Sequence, residues 1–197
     1  MTCIVGLEED GVVYIGGDSA GVDSGWGLTV RADEKVFIRE RSGDPWIFGF
    51  CGSFRMGQLL RYTLELPEPE TGDDLYEFMV TKFVDAVRFC LTNGGALYSK
   101  NGREEGGTFL VGYRGQLFCV EEDMQVGRSV APFVAIGCGD HLATGAMHAL
   151  HGYDTSPKKK ITAALKAAEQ YSAGVRGPFV ILDSSGKPAR PKAAPRP

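Results

Sequence analysis

The chain has 197 residues, the size of one domain that can bury a substantial core. Its hydrophobic fraction of 43% and net charge of −4 are ordinary for a globular protein, and the acidic balance argues against a nucleic-acid partner. No run approaches the roughly 20 apolar residues that cross a bilayer, and the N-terminus is unlike a secretory signal. We therefore expect a cytoplasmic protein with no membrane partner.

The first half of the sequence predicts strands followed by helices. The predicted elements are strands over 2–7, 12–17, 35–39 and 46–51, then helices over 53–64 and 73–91. Gly11 lies in the turn of a hairpin, where glycine favours positive φ. The continuous apolar run over 46–51 predicts a strand buried on both faces, and Ser53 is the predicted N-cap of the first helix.

The second half repeats this order after a polar loop over 93–107. It predicts hairpin strands over 108–113 and 116–120, a strand over 133–137, helices over 139–150 and 160–171, and a last strand over 178–182. The order fits an α+β fold in which two sheets pack face to face, each covered by a helix pair, although other α+β arrangements fit the composition too. We predict one domain over 1–183 and a disordered, basic, Pro/Ala-rich tail over 184–197.

The cysteines and histidines give no sign of a disulfide framework or a metal site. There are five cysteines with no Cys-x-x-Cys motif, which predicts reduced thiols. Those in apolar runs are expected in the core: Cys3, Cys51, Cys90 and Cys119. His141, His148 and His151 have no zinc signature around them, so we expect no metal and no cofactor. A thiol protease built on Cys138 and His141 is geometrically possible, but this hypothesis accounts for fewer of the sequence motifs than one based on Thr2.

The N-terminus carries the strongest chemical signal. A small residue at position 2 normally permits removal of Met1, after which Thr2 would combine a hydroxyl nucleophile with its own α-amine. The unperturbed pKa of such an amine is about 7.7–8.0, so it can act as a base near neutral pH. A hydroxyl nucleophile and an amine base on one terminal residue are the groups that an N-terminal nucleophile (Ntn) hydrolase requires.

The body of the chain resembles the proteasome β-subunit superfamily, in particular HslV-type peptidases. The resemblance rests on motifs in family order, namely Thr2 with Gly16-Gly-Asp18, Lys35-Val36, Phe48-Gly-Phe-Cys-Gly52, Ala135-Ile-Gly-Cys-Gly139 and Glu169-Gln-Tyr-Ser-Ala-Gly174. It implies a four-layer αββα sandwich and a threonine-type endopeptidase.

The resemblance also implies roles for single residues. Thr2 is the nucleophile, Lys35 places a positive charge beside it, and Asp18 pairs with that lysine. Gly52 supplies an oxyanion-stabilising N–H, worth roughly 2.7–4 kcal/mol in comparable hydrolases.

Three more residues belong to the implied network. Ser172 keeps its family position and is expected near the Thr2 amine. Cys138 and Glu169 depart from the family's serine and aspartate, and a thiol is the weaker hydrogen-bonding group. We expect the changes at Cys138 and Glu169 to affect the catalytic turnover more than the fold.

By the same resemblance, the pocket for the substrate side chain before the cut involves Gly21, Asp33, Phe50 and Phe54. The implied partners are further copies of the chain, in a stacked double ring, an ATP-dependent unfoldase acting in trans, and unfolded protein or peptide substrates. Two other functions stay open: a small-molecule amidase or acylase of the Ntn class, and a catalytically inactive assembly or scaffold protein.

Overall fold

A computed structural model of the chain describes residues 1–100 and 102–185. Most of the predicted tail, 186–197, lies outside the described residues. Ser184, at the predicted boundary, is hydrogen-bonded to the domain: its N–H donates to the carbonyl oxygen of Val13 at 2.9 Å.

The elements follow the predicted order of strands and helices. The strands are β1 Cys3–Glu9, β2 Val12–Gly17, β3 Ala20–Val22, β4 Leu28–Val30, β5 Val36–Arg41, β6 Asp44–Phe50, β7 Tyr98–Lys100, β8 Arg103–Glu105, β9 Phe109–Tyr113, β10 Gln116–Val120, β11 Val126–Gly127, β12 Phe133–Gly137 and β13 Val180–Asp183. The helices are α1 Phe54–Tyr62, α2 Leu75–Phe78, α3 Val84–Asn93, α4 Asp140–Leu150 and α5 Pro157–Tyr171.

The long strands form two antiparallel sheets. Their orders are β12-β1-β2-β13 and β11-β10-β9-β6-β5. The tight hairpin turns between neighbouring strands include two that the sequence predicted: Asp10 and Gly11 have φ of 53° and 72°, and Arg114 and Gly115 have φ of 47° and 75°. Positive φ at both central residues matches the twist of the flanking strands, which is why the sequence predicted these hairpins.

Side-chain alternation along the strands creates four layers. In β1, Cys3, Val5 and Leu7 pack with helices α4 and α5, whereas Ile4 points into the core between the sheets. In β6, Ile47 enters the same intersheet core, and Trp46 and Phe48 pack against the helices on the opposite side. The structure is therefore the predicted α+β, αββα sandwich.

Some local structure was not predicted. A π-helical stretch, Met79–Phe83, lies between α2 and α3, where the sequence predicted one continuous helix. The polar segment after α3 contains the β7–β8 pair, and the glycine-rich segment after β2 contains the β3–β4 pair. The predicted cap is confirmed, because the Ser53 hydroxyl accepts a hydrogen bond from the Met56 N–H. None of the helices within 1–100 and 102–185 has the length and apolar character to cross a membrane.

Candidate active site

The topology of the first sheet brings distant residues to the start of β1. Both neighbours of β1 are antiparallel to it, so Cys3 faces Gly137 of β12, and Ile4 faces Gly17 of β2. The residues that follow these neighbouring strands, Asp18 and Cys138, therefore flank Thr2. Thr2 is 3% exposed.

Lys35 reaches this point from the second sheet. It immediately precedes β5, and its Nζ atom donates to Asp18 Oδ1 at 2.7 Å and to Thr2 Oγ1 at 2.8 Å. The side chains of Lys35 and Asp18 are 1% and 0% exposed. Gly17 permits this approach, because a Cβ atom there would lie 2.8 Å from Val36 Cγ2.

Backbone amides hold the Asp18 carboxylate. Oδ1 also accepts the Cys3 N–H at 3.0 Å, and Oδ2 accepts the N–H groups of Ala20 at 2.9 Å and Arg176 at 3.2 Å. A carboxylate with this many donors stays in one orientation, so the position of Lys35 is set by Asp18.

The environment of Lys35 shifts its proton affinity. Burial lowers the pKa of the Lys35 ammonium below its usual value, and attraction to Asp18 opposes that effect. In its charged form, the ammonium favours loss of the proton from Thr2 Oγ1, because it would stabilise the resulting negative oxygen.

Cys138 contacts the backbone of Thr2. Its Sγ atom accepts the Thr2 N–H at 3.3 Å and donates to the Thr2 carbonyl oxygen at 3.4 Å. The Ser172 Oγ atom lies 3.5 Å from the same sulfur. The structure thus brings Cys138 to the nitrogen that would be the α-amine after removal of Met1, and it places Ser172 against the Cys138 sulfur.

Gly137 packs closely against this backbone. It has φ of 95°, and a Cβ atom there would lie 2.3 Å from the Thr2 carbonyl oxygen. No L-residue with a side chain fits without moving the start of β1. The sequence motif contained Gly137 but did not reveal this contact.

Gly52, the predicted oxyanion residue, lies just beyond β6. It is exposed and has φ of 86°, and the space that a Cβ atom would enter is open. The preceding residue, Cys51, is anchored by its N–H to the Thr108 carbonyl oxygen at 3.0 Å. A substrate backbone can therefore approach Gly52 closely.

Glu169 is connected to Asp18 through the backbone of a loop. Its Oε1 atom accepts the Gly177 N–H at 2.8 Å. The residue before Gly177 is Arg176, whose N–H donates to Asp18. Glu169 therefore anchors the loop whose backbone holds the Asp18 carboxylate.

Met1 lies against the same loop. Its carbonyl oxygen accepts the Thr2 hydroxyl at 2.5 Å. A Cβ atom on Gly174 would lie 2.4 Å from Met1 Cβ and 2.7 Å from Cys138 Sγ, so Gly174 makes room for both residues. While Met1 is present, the Thr2 nitrogen is an amide and cannot act as a base.

The residues of the predicted substrate pocket lie around Arg31, which the sequence analysis did not identify. Phe50 and Phe54 meet edge to face at 5.8 Å. The Arg31 guanidinium lies 3.9 Å from the centre of the Phe54 ring and forms a fork with the Asp33 carboxylate. Gly21 gives space to the Arg31 stem, since a Cβ atom there would lie 2.7 Å from Arg31 Cδ. The signal in the sequence was the i, i+2 spacing of Arg31 and Asp33, which places both on one side of an extended segment.

The histidines do not take part in this arrangement. His141 has a fully exposed side chain at the start of α4. Over residues 1–100 and 102–185, no three His, Cys, Asp or Glu side chains are grouped so that they could hold a metal ion.

Solved structures of proteasome-like Ntn hydrolases share this fold. The chain is 21% identical to BPH from Thiobacillus denitrificans in complex with epoxomicin, covering 95% of this chain and 100% of BPH with a TM-score of 0.73. It is 18% identical to eukaryotic HslV from Trypanosoma brucei, covering 92% and 98% of the two chains with a TM-score of 0.65. It is 13% identical to Anbu from Yersinia bercovieri, covering 93% and 81% with a TM-score of 0.66.

No protein-family model matches the sequence, and a search of curated proteins found no match. The structural likeness therefore establishes a proteasome-like Ntn-hydrolase fold over nearly the whole chain. At these identities it establishes the fold alone, and the reaction has to be argued from the residues.

Proposed function

We propose that this protein is an N-terminal threonine peptidase that hydrolyses amide bonds with Thr2 once Met1 has been removed. The observation that carries the proposal is the buried Asp18–Lys35 pair, whose ammonium donates to Thr2 Oγ1 at 2.8 Å. A fully buried ion pair is costly to maintain, and here it points at a hydroxyl directly beside the chain terminus.

The first half of the reaction forms an ester. The free amine of Thr2 accepts the Oγ1 proton, directly or through one water, and Oγ1 bonds to the carbonyl carbon of the substrate amide. Lys35 stabilises the oxygen as its proton leaves, and the Gly52 N–H stabilises the negative charge on the attacked carbonyl oxygen. The C–N bond then breaks, and the proton passes to the leaving amine.

The second half releases the product. Water attacks the ester while the Thr2 amine accepts its proton; the bond between Oγ1 and the acyl carbon then breaks, and the amine returns that proton to Oγ1. In this proposal Cys138 orients the amine, and Ser172 acts through the Cys138 sulfur; the 3.3 Å contact of that sulfur with the Thr2 nitrogen supports this role. No metal or cofactor enters this scheme.

The first experiment is the intact mass of the protein before and after treatment with a peptide epoxyketone. Such a reagent carries two electrophilic carbons, so its full reaction uses both the hydroxyl and the free amine of one residue. Loss of Met1 and a single adduct on Thr2 are expected, and Thr2→Ala is expected to give none while keeping the fold.

The outcomes of this experiment separate the remaining functions. Retained Met1 with no adduct would favour the assembly or scaffold protein. An adduct without cleavage of any peptide, but with cleavage of acyl amides, would favour the small-molecule amidase or acylase. Cleavage of peptides by the Thr2→Ala variant would overturn the proposed chemistry.

We further propose that the peptidase works inside an assembly of identical subunits, with an ATP-dependent unfoldase in trans in the cytoplasm. The comparison structures include a helical assembly of the Anbu complex from Pseudomonas aeruginosa, 13% identical with a TM-score of 0.64. The sequence has no P-loop of its own, so unfolding would need a partner. Native mass spectrometry tests the assembly, since a monomer at micromolar concentration would argue against an assembly of identical subunits.

A further inference from the structure

Arg31 is held by several contacts beside the candidate pocket. Its backbone N–H donates to the Ser19 carbonyl oxygen at 2.8 Å. Its stem lies in the space left by the missing side chain of Gly21. Its guanidinium stacks at 3.9 Å from the centre of the Phe54 ring. These contacts restrain Arg31 at its backbone, its stem and its charged end.

The Phe54 ring links Arg31 to the reacting residues. The Nζ atom of Lys35 lies 5.9 Å from the centre of the same ring, and Lys35 donates to Thr2 Oγ1. A side chain that packs on Phe54 next to the nucleophile would therefore also lie beside Arg31.

Asp33 neutralises Arg31. Arg31 Nε and Nη2 donate to the Asp33 carboxylate at 2.9 Å and 2.6 Å, the fork geometry that suits a guanidinium and a carboxylate. These hydrogen bonds lower the pKa of Asp33 below its usual value. The pair therefore stays ionised at neutral pH and presents no net charge.

A cavity that shares Asp33 and Phe54 with this site carries a second pair of opposite charges. Glu34 and Arg61 lie 3.9 Å apart, and both line a cavity of about 120 Å³ together with Asp33, Phe50 and Phe54. A charged substrate side chain would find the opposite charges already paired, whereas an apolar one would find aromatic surface.

We propose that Arg31 determines the charge preference of the substrate pocket, and that pairing with Asp33 leaves the pocket without net charge. The pocket then accepts uncharged, mainly apolar side chains before the cut and disfavours acidic and basic ones. Without the Asp33 charge, the guanidinium becomes available to a substrate carboxylate. This inference rests on the proposed peptidase function.

The test compares peptides that differ only in leucine, aspartate or lysine before the scissile bond. Rates are divided by the concentration of epoxyketone-reactive Thr2, so a loss of active sites is not mistaken for a change of preference. For the native chain, kcat/KM is expected to be highest for leucine.

Asp33→Asn should raise the aspartate-to-leucine ratio of kcat/KM about tenfold, the change that roughly 1.4 kcal/mol produces. The double variant Asp33→Asn with Arg31→Gln should lose that gain. Glu70→Gln is the matched control, because it removes the same charge from an exposed ion pair with Lys82 and should leave the ratio unchanged. A ratio that stays within about twofold in Asp33→Asn, or a gain that survives Arg31→Gln, would overturn the inference.

A binding arm keeps the inference testable if the chain does not hydrolyse peptides. Calorimetry would compare the leucine and aspartate peptides on Thr2→Ala, with and without Asp33→Asn. A tighter aspartate complex only in the Asp33→Asn background supports the role of Arg31 even when catalysis is absent. Equal affinities in both backgrounds would refute that role, whatever the mass experiment shows for Thr2.

Discussion

Lys35 and Thr2, which are 33 positions apart in the chain, are joined by a 2.8 Å hydrogen bond from Nζ to Oγ1. The lysine side chain is 1% exposed, so water does not screen its charge from the hydroxyl. This relationship links the sequence motif to chemistry, because neither residue alone would distinguish a reactive site from an ordinary core.

Replacing Lys35 with methionine should abolish reaction with the epoxyketone and also destabilise the protein. The Asp18 carboxylate would remain buried without its counterion, a loss that typically costs about 3–5 kcal/mol. We expect the lower end of that range, because three backbone N–H groups still hold Asp18. Urea unfolding measures the free-energy change.

The double variant Lys35→Met with Asp18→Asn is the control for this experiment. It removes the unpaired charge while keeping an oxygen acceptor, so stability should recover in part and reactivity should not. A Lys35→Met protein that reacts at the native rate would contradict the proposed role of the ammonium.

Cys138 should be the one fast-reacting thiol of the folded chain. It is exposed, whereas the other four cysteines are buried. Burial raises the pKa of Cys3 to about 12 and that of Cys51 to about 12, so neither forms the reactive thiolate at pH 8. A thiol reagent should titrate one group in native protein and five in denaturant, the number in the sequence.

Cys138→Ser identifies that group, since this variant should show no fast thiol when folded. Alkylation of the native chain after Met1 removal should also block the epoxyketone, because Sγ lies 3.3 Å from the Thr2 nitrogen. Full epoxyketone reactivity after complete alkylation would refute the contact.

Glu169→Ala should slow the reaction at Thr2 without removing a reacting group. The variant loses the acceptor of the Gly177 N–H, a hydrogen bond to a charged group worth roughly 1.5–3 kcal/mol. The loop that donates to Asp18 would then be less well held. Glu169→Gln keeps an acceptor and should be closer to the native chain in both Tm and rate.

Equal rates for Glu169→Ala and the native chain would show that this loop does not position Asp18. A rate loss as complete as that of Thr2→Ala, in a folded protein, would instead indicate that Glu169 acts at the reacting atoms.

Gly137→Ala should disrupt the start of β1. The backbone there has φ of 95°, and the added carbon would lie 2.3 Å from the Thr2 carbonyl oxygen. We expect a destabilisation of more than about 1 kcal/mol, the cost of an L-residue in the left-handed region, together with loss of the Thr2 adduct.

Gly145→Ala, in the exposed part of α4, is the matched control. Nothing lies within 4 Å of the Cβ atom it would add. It should stabilise the protein by about 0.5–1 kcal/mol through helix propensity. If thermal unfolding ranks the two variants the other way, the contact at Gly137 is refuted.

Much of the architecture could be predicted because it depends on local patterns. The turn residues Asp10-Gly11 and Arg114-Gly115 select tight hairpins, and Ser53 can cap only a helix that begins beside it. The π-helical stretch and the short β3–β4 and β7–β8 pairs escaped prediction, because two- or three-residue ladders and one extra residue per turn leave little periodic signal.

By itself the sequence determined the order of the elements and the presence of Thr2, Asp18 and Lys35 at a spacing typical of Ntn hydrolases. The element order follows from alternation and capping, which are properties of neighbouring residues, whereas Thr2, Asp18 and Lys35 were singled out by the resemblance to the proteasome β-subunit superfamily. Only the tertiary structure decided which distant side chains meet. The antiparallel register of β1 brings Asp18 and Cys138 to Thr2, the packing of the two sheets delivers Lys35, and a missing side chain at Gly21 admits Arg31. Such contacts depend on side-chain direction and on how two sheets pack, and neither is encoded within a short segment.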